Sequence, residues 1–94
     1  MSRAKTAEEV RAEFLDCLRS NISYWATREG MPEREKLEGL TFSFLTLLDG
    51  VSGMPCFDLL IRPHSDDKQF HIDEGQDYYE DGMIINDCYL HDEL

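Results

Sequence analysis

Residues 36–53, KLEGLTFSFLTLLDGVSG, form the most apolar stretch of the chain, and its periodicity decides the fold prediction. Apolar side chains recur there at intervals of three and four residues, the spacing of a helix that is buried on most of its circumference. They are Leu37, Leu40, Phe44, Leu47 and Leu48, with Phe42 and Leu45 on the flanks. Pro32 suits the first turn of such a helix, and Gly50 can adopt the positive φ that ends one. The stretch therefore predicts a helix.

The same stretch also has a β interpretation. Residues 40–44, LTFSF, alternate apolar and hydroxyl side chains, as a strand of a hairpin does, and such a strand would return through residues 56–61. The helix is favoured because the capping residues agree with its period. A short apolar run alone does not decide between the two.

A first helix is predicted upstream, where Thr6-Ala7-Glu8-Glu9 has the pattern of a capping box. Apolar side chains at helical spacing follow it and predict an amphipathic helix of about five turns, ending near Arg28 with Gly30 just beyond. They include Val10, Phe14, Cys17, Leu18, Ile22 and Trp25. Because so few residues join the two helices, we expect them to pack antiparallel, with Gly39 at a close crossing.

The second half of the chain predicts a small sheet. Residues 57–62 are a strand candidate closed by Pro63, and the best partner for them is the run at residues 82–86. The expected fold is a single α+β domain, in which two antiparallel N-terminal helices pack on a small sheet with an acidic C-terminal segment. Its predicted parts are a disordered terminus at 1–5, a helical hairpin at 6–50, and a strand with an acidic-aromatic segment at 55–94.

Charge is distributed unevenly along the chain. The net charge is −11, of which residues 1–39 carry −1 and residues 40–94 carry −10. Such a chain repels nucleic-acid phosphates and anionic membrane surfaces, so direct binding to either is not expected. Three cysteines without a C-x-x-C pair argue against a disulfide framework, and the charged start argues against a signal peptide. We expect a cytoplasmic protein.

The candidate binding face lies where carboxylates and aromatic side chains alternate. It comprises Asp73, Glu74, Asp77, Tyr78, Tyr79, Glu80 and Asp81. The carboxylates would steer a partner with a basic surface towards the face, imitating the charge of nucleic acid, while the tyrosines would supply contact area. A solvated and partly disordered tail is the alternative interpretation.

A second candidate site is a metal centre in residues 63–74, which hold two histidines and four carboxylates. Its ligands would be His64, Asp66, Asp67 and His71, with Asp73 as a further donor. The spacing matches no known ligand set, and Asp66 equally suits the N-cap of a helix. The sequence contains no phosphate-binding glycine loop and no nucleophile motif. We therefore predict a protein without catalytic activity, metal or cofactor, and keep metal binding or metal-dependent catalysis as the alternative function.

Residues 24–81 resemble a group of small phage- and prophage-encoded proteins that have no assigned activity. The resemblance lies in EREKLEGLTFSFLTLLDGVSGMPCFDLL at 33–60, PHSDDKQFH at 63–71 and IDEGQDYY at 72–79, with LHDEL closing the chain. It implies a bacterial cytoplasm and an accessory role in phage biology. The predicted partner is another protein with a basic surface, and a homodimer through the apolar helices is a further prediction.

Overall fold

The structure is a computed structural model that describes residues 2–94. It contains four helices: α1 (Ala7–Ala26), α2 (Glu33–Leu48), α3 (Asp67–Asp73) and α4 (Leu90–Glu93). We call α1 and α2 together the helical hairpin. Across residues 2–94, pairing between extended segments is limited to one antiparallel bridge, between Leu60 and Ile84.

Helix α1 begins at the predicted capping box. The Glu9 N–H donates to Thr6 Oγ1 at 3.2 Å, and the Thr6 N–H donates to Glu9 Oε1 at 3.1 Å. Arg3 adds two hydrogen bonds to the same carboxylate, and together these donors lower the pKa of Glu9 to about 2. The helix ends at Ala26, two residues before the predicted end. The predicted disordered terminus at 1–5 includes Met1, which lies outside the described residues.

Helix α2 settles the ambiguity of the apolar stretch. Residues 33–48 are helical, so the helix prediction is confirmed and the strand interpretation is wrong. Gly50 ends the helix with a φ of 79°. A side chain there would also meet the backbone of Cys56, since a Cβ built on Gly50 lies 2.6 Å from the Cys56 nitrogen. The chain therefore turns back sharply after α2.

The two helices of the hairpin cross closely at Gly39. A Cβ built on Gly39 would lie 2.5 Å from Trp25 Cη2, so the indole ring occupies the space that a side chain would need. Trp25 Nε1 also donates a hydrogen bond to Ser43 Oγ at 2.9 Å. The end of α1 thus meets the start of α2, and Phe14 meets Phe44 farther along. This arrangement is antiparallel and confirms the predicted role of Gly39.

The core is small and lies at the end of α2. Leu47, Leu48 and Met54 are the buried apolar side chains of the described residues. Phe14 lines a depression together with Leu48 and Phe57, and its ring centroid lies 5.4 Å from that of Phe57 in an edge-to-face arrangement. The Phe57 N–H donates to the Leu48 carbonyl at 2.8 Å, which holds the returning chain against α2.

The predicted α+β fold is wrong, because the structure is 51% helix and 2% strand and has no sheet within residues 2–94. Residues 57–61 and 82–86 do lie side by side, with hydrogen bonds from Ile61 to Met83 and from Ile85 to Leu59. Beyond them the Asn86 side chain replaces the backbone ladder, bonding to the Leu59 N–H at 2.7 Å and the Phe57 carbonyl at 2.6 Å. Two isolated strands are marginal in water, and no third segment pairs with these two among the described residues.

The described chain is flat and open. Its radius of gyration is 17.7 Å and its extents are 52 × 47 × 21 Å, whereas a compact domain of this length has a radius of about 12 Å. It exposes 7600 Å², against about 5,600 Å² for a compact monomer of this mass. Sixteen large apolar or tyrosine side chains within residues 2–94 are exposed. The folded chain therefore leaves much apolar surface uncovered.

Candidate functional site

The candidate binding face, residues 73–81, follows helix α3. Gly75 has a φ of 69° and turns the chain directly after the helix. Gln76 fixes this turn, because its N–H donates to the His71 carbonyl at 2.8 Å and its side chain bonds to His71 Nδ1 at 2.9 Å. Residues 76–80 then run without helix or strand across the outside of the molecule.

All seven residues of the face are exposed to solvent. They are Asp73, Glu74, Asp77, Tyr78, Tyr79, Glu80 and Asp81. Tyr79 has 66% of its surface exposed and Tyr78 has 42%. Both rings therefore have apolar area available for a contact, as Tyr24 and Tyr89 do elsewhere in the chain.

One cation connects the face to α3. Lys68 Nζ lies 3.1 Å from Glu80 Oε1 and 4.9 Å from the centre of the Tyr78 ring. The hydrogen bond and charge of Glu80 raise the pKa of Lys68 above its usual value. Among the ion pairs of residues 2–94, this is the one that involves the face, so its other carboxylates have no cation beside them. The face therefore combines one tyrosine beside a cation, Tyr78, with four carboxylates that have no ion-pair partner among residues 2–94.

The residues of the alternative metal centre are not brought together. His64 Nδ1 is 3.9 Å from Asp66 Oδ2, and His71 bonds to Gln76 instead of facing them. Nowhere in residues 2–94 do three or more His, Cys, Asp or Glu side chains form a group that could hold a metal ion. Asp66 does precede α3, but its side chain makes no capping hydrogen bond, so the N-cap interpretation holds for its position only.

A buried carboxylate that the sequence reasoning missed joins the two halves of the chain. The Asp49 side chain is 1% exposed and accepts hydrogen bonds from the Leu90 N–H at 3.0 Å and the His91 N–H at 2.9 Å. His91 Nδ1 donates a third, at 2.6 Å. We call this arrangement the C-terminal clamp.

Electrostatics keep the clamp ionised. Burial raises the pKa of Asp49, but the hydrogen bonds from His91 and Leu90 outweigh it and leave the pKa below its usual value. The clamp carboxylate thus satisfies the N-terminal amides of α4. A sequence signal existed, since Asp49 is the one charged residue between positions 40 and 57.

Cys88 lies beside the clamp and is exposed. Desolvation raises the pKa of its thiol, and the carboxylates of Glu93 and Asp87 raise it further. A raised pKa keeps the thiol protonated near neutral pH, and a protonated thiol is a poor nucleophile.

Comparison of the chain with protein families, curated proteins and solved structures finds no match. The resemblance to phage-encoded proteins therefore stays a prediction. None of the helices within residues 2–94 has both the length and the apolar character needed to cross a bilayer.

Proposed function

We propose that this protein works by binding another protein, and that residues 73–81 form the contact face for a basic surface. The role is non-enzymatic and imitates the phosphate charge of nucleic acid. The observation that carries the proposal is the exposure of Tyr78 and Tyr79 within a run of carboxylates that have a single cation among them. The resemblance of residues 24–81 favours a phage or prophage accessory role in the bacterial cytoplasm.

Charge supplies the attraction. Residues 40–94 carry a net charge of −10, and the face holds five of their carboxylates within nine positions. A concentrated potential of one sign raises the encounter rate with a partner of the opposite sign, and added salt screens it. The binding partner should therefore have a surface rich in Lys and Arg, such as the nucleic-acid groove of an enzyme.

The tyrosines supply the contact. Tyrosine is enriched among the side chains that dominate binding energy, because it buries a large rigid area and keeps a polar end. Lys68 holds Tyr78 and Glu80 near α3, and this restraint lowers the entropy lost when the face binds. The face is thus partly organised before a partner arrives.

The proposal is tested by capture from a bacterial lysate on the immobilised protein. We expect bound proteins to elute at high salt and to be displaced by duplex DNA, since DNA would compete for the same basic groove. The double variant Tyr78→Ala and Tyr79→Ala should lose capture. Tyr24→Ala is the matched control, because Tyr24 is similarly exposed but lies on the helical hairpin.

Two results would contradict the proposal. One is capture that persists at high salt and in the presence of DNA, which would exclude charge mimicry. The other is equal capture by the wild type and the Tyr78→Ala and Tyr79→Ala double variant, which would place the contact elsewhere.

A further inference from the structure

The helical hairpin carries an apolar surface without a partner, in contrast to the acidic surface of residues 73–81. Its exposed side chains are Ile22 on α1, Leu37 and Phe42 on α2, and Leu94 beyond α4, with exposures of 53%, 64%, 45% and 69%. We call these residues the Leu37 face. Leu37, Phe42 and Leu94 line one depression together with charged side chains of α2, and grouped apolar side chains of this kind mark an interaction surface.

The shape of the Leu37 face would allow two copies of it to fit together. Leu37 projects between two depressions, and it lines both of them. On one side a hollow of about 260 Å³ lies between α1 and α2, lined by Ile22, Trp25 and Leu40 among others. That is more than the roughly 150 Å³ that accommodates a benzene-sized group in an apolar cavity. A projecting side chain beside a hollow that fits it is the requirement of a twofold interface.

The charge of the hairpin identifies a second copy as the occupant. Two copies would repel over most of residues 40–94, which carry −10 in each, whereas Ile22 and Leu37 lie outside that half. Residues 1–39 carry only −1, and the start of α2 mixes both signs, as in the ion pair of Arg34 and Glu38 at 2.9 Å. When α2 meets its own copy antiparallel, Arg34 and Lys36 of one chain approach the glutamates of the other.

The chain has more exposed surface than a compact monomer of its mass. It exposes 7600 Å², about 2,000 Å² more than such a monomer, and this excess is spread over the whole open chain. A standard interface would cover about 800 Å² of each partner. The monomeric core, with three buried apolar side chains among the described residues, is small enough to gain from an added interface.

We propose that a second copy of this chain docks on the Leu37 face and forms a twofold dimer. Leu37 of each copy enters the hollow between α1 and α2 of the other. This dimer is independent of the function proposed for residues 73–81, and it leaves that face exposed on both copies. A partner would then meet two acidic faces carried by one particle.

The test is the molar mass of the purified full chain in solution, followed over a dilution series by sedimentation. We expect twice the monomer mass of 10.9 kDa at high concentration. Leu37→Glu should weaken the dimer at least roughly thirtyfold, the effect of losing one dominant contact side chain. Val51→Glu introduces the same charge at a 55% exposed position away from the face and should leave the dimer intact.

Trp25 reports where the copies meet. It is the single tryptophan and it lines the hollow, so its emission should shift to the red as the wild type is diluted and the hollow is exposed to water. A wild type that stays monomeric would overturn the proposal. So would equal dissociation of the Leu37→Glu and Val51→Glu variants, or a dimer whose Trp25 emission is unchanged by dilution. If Leu37→Glu loses helix by circular dichroism, Leu37→Ala takes its place, and a dimer as tight as the wild type then overturns the proposal.

Discussion

The helical hairpin and residues 55–94 are held together by different kinds of interaction. The hairpin depends on apolar contact: Trp25 fills the space at Gly39, Leu47 is fully buried, and the rings of Phe14 and Phe44 pack edge to face. Residues 55–94 bury no side chain completely and depend on polar bonds, with a single backbone bridge at Leu60. Apolar packing therefore stabilises one half, and individual hydrogen bonds position the other.

The same comparison separates two surfaces. The two helices of the hairpin carry a net charge of −3 and expose aliphatic side chains, whereas residues 49–94 carry −10. We therefore assign self-association to the hairpin and binding of a basic partner to residues 73–81. Neither surface needs to change when the other is occupied.

The sharpest test of this contrast is truncation of one apolar side chain in each half. Leu47→Ala removes a side chain that is 1% exposed and should cost about 2–5 kcal/mol of unfolding free energy, from transfer and cavity terms. Ile85→Ala, at a position 51% exposed, should cost less than about 1 kcal/mol. Urea denaturation followed by circular dichroism measures both. Equal losses would show that residues 55–94 have a core of their own.

A smaller effect is expected at the helix crossing. Gly39→Ala gains about 1 kcal/mol in helix propensity, but its Cβ would collide with the Trp25 ring. Overpacking typically costs about 1–3 kcal/mol, so we expect a net loss of about 1 kcal/mol and a shift in Trp25 fluorescence. Ser20→Ala, at an exposed position on α1, is the control for a gain in helix propensity. A more stable Gly39→Ala variant would mean that the helices do not cross closely.

The smallest effect is expected at the C-terminal clamp, because its loss frees only the four residues of α4. In Asp49→Asn the amides of Leu90 and His91 lose an ionised acceptor, so their NMR signals should move to unstructured positions while the hairpin signals remain. Asp87→Asn makes the same chemical change at an exposed position and should leave the clamp intact. A variant that keeps α4 in place would show that other contacts hold it.

The clamp should also respond to acid. The pKa of Asp49 is lowered in the folded state from its usual 3.8. The ionised carboxylate therefore contributes fully to the stability of the clamp above pH 3.8. The contribution is lost as the pH falls through the lower, folded-state pKa. In the wild type, the Leu90 and His91 signals should therefore move only below about pH 4, and in Asp49→Asn they should not titrate there.

Sequence reasoning succeeded where local signals and packing agree. The capping box at Thr6 and the apolar period of residues 37–48 both predict helices. Gly39 predicts the close crossing, because only a residue without a side chain leaves room for the Trp25 ring. The exposed position of residues 73–81 also follows from their composition. In these places the local sequence alone determines whether a residue is helical or exposed.

It failed where a contact joins distant residues. The runs at 57–62 and 82–86 have strand composition, but the Asn86 side chain takes over the ladder after a few residues. Helix α4 was missed because four residues carry no period, and it exists through Asp49, which is forty-one positions from Leu90. Neither contact has a local pattern that the sequence alone would reveal.

The C-terminal clamp has a consequence for how the chain tolerates change. Asp49 lies at the end of α2 and binds the start of α4, so the residues between the two helices form a loop whose ends are held together. Doubling the length of such a loop costs only about 0.6 kcal/mol in closure entropy. We therefore expect insertions after Gln76 to leave α1 and α2 in place.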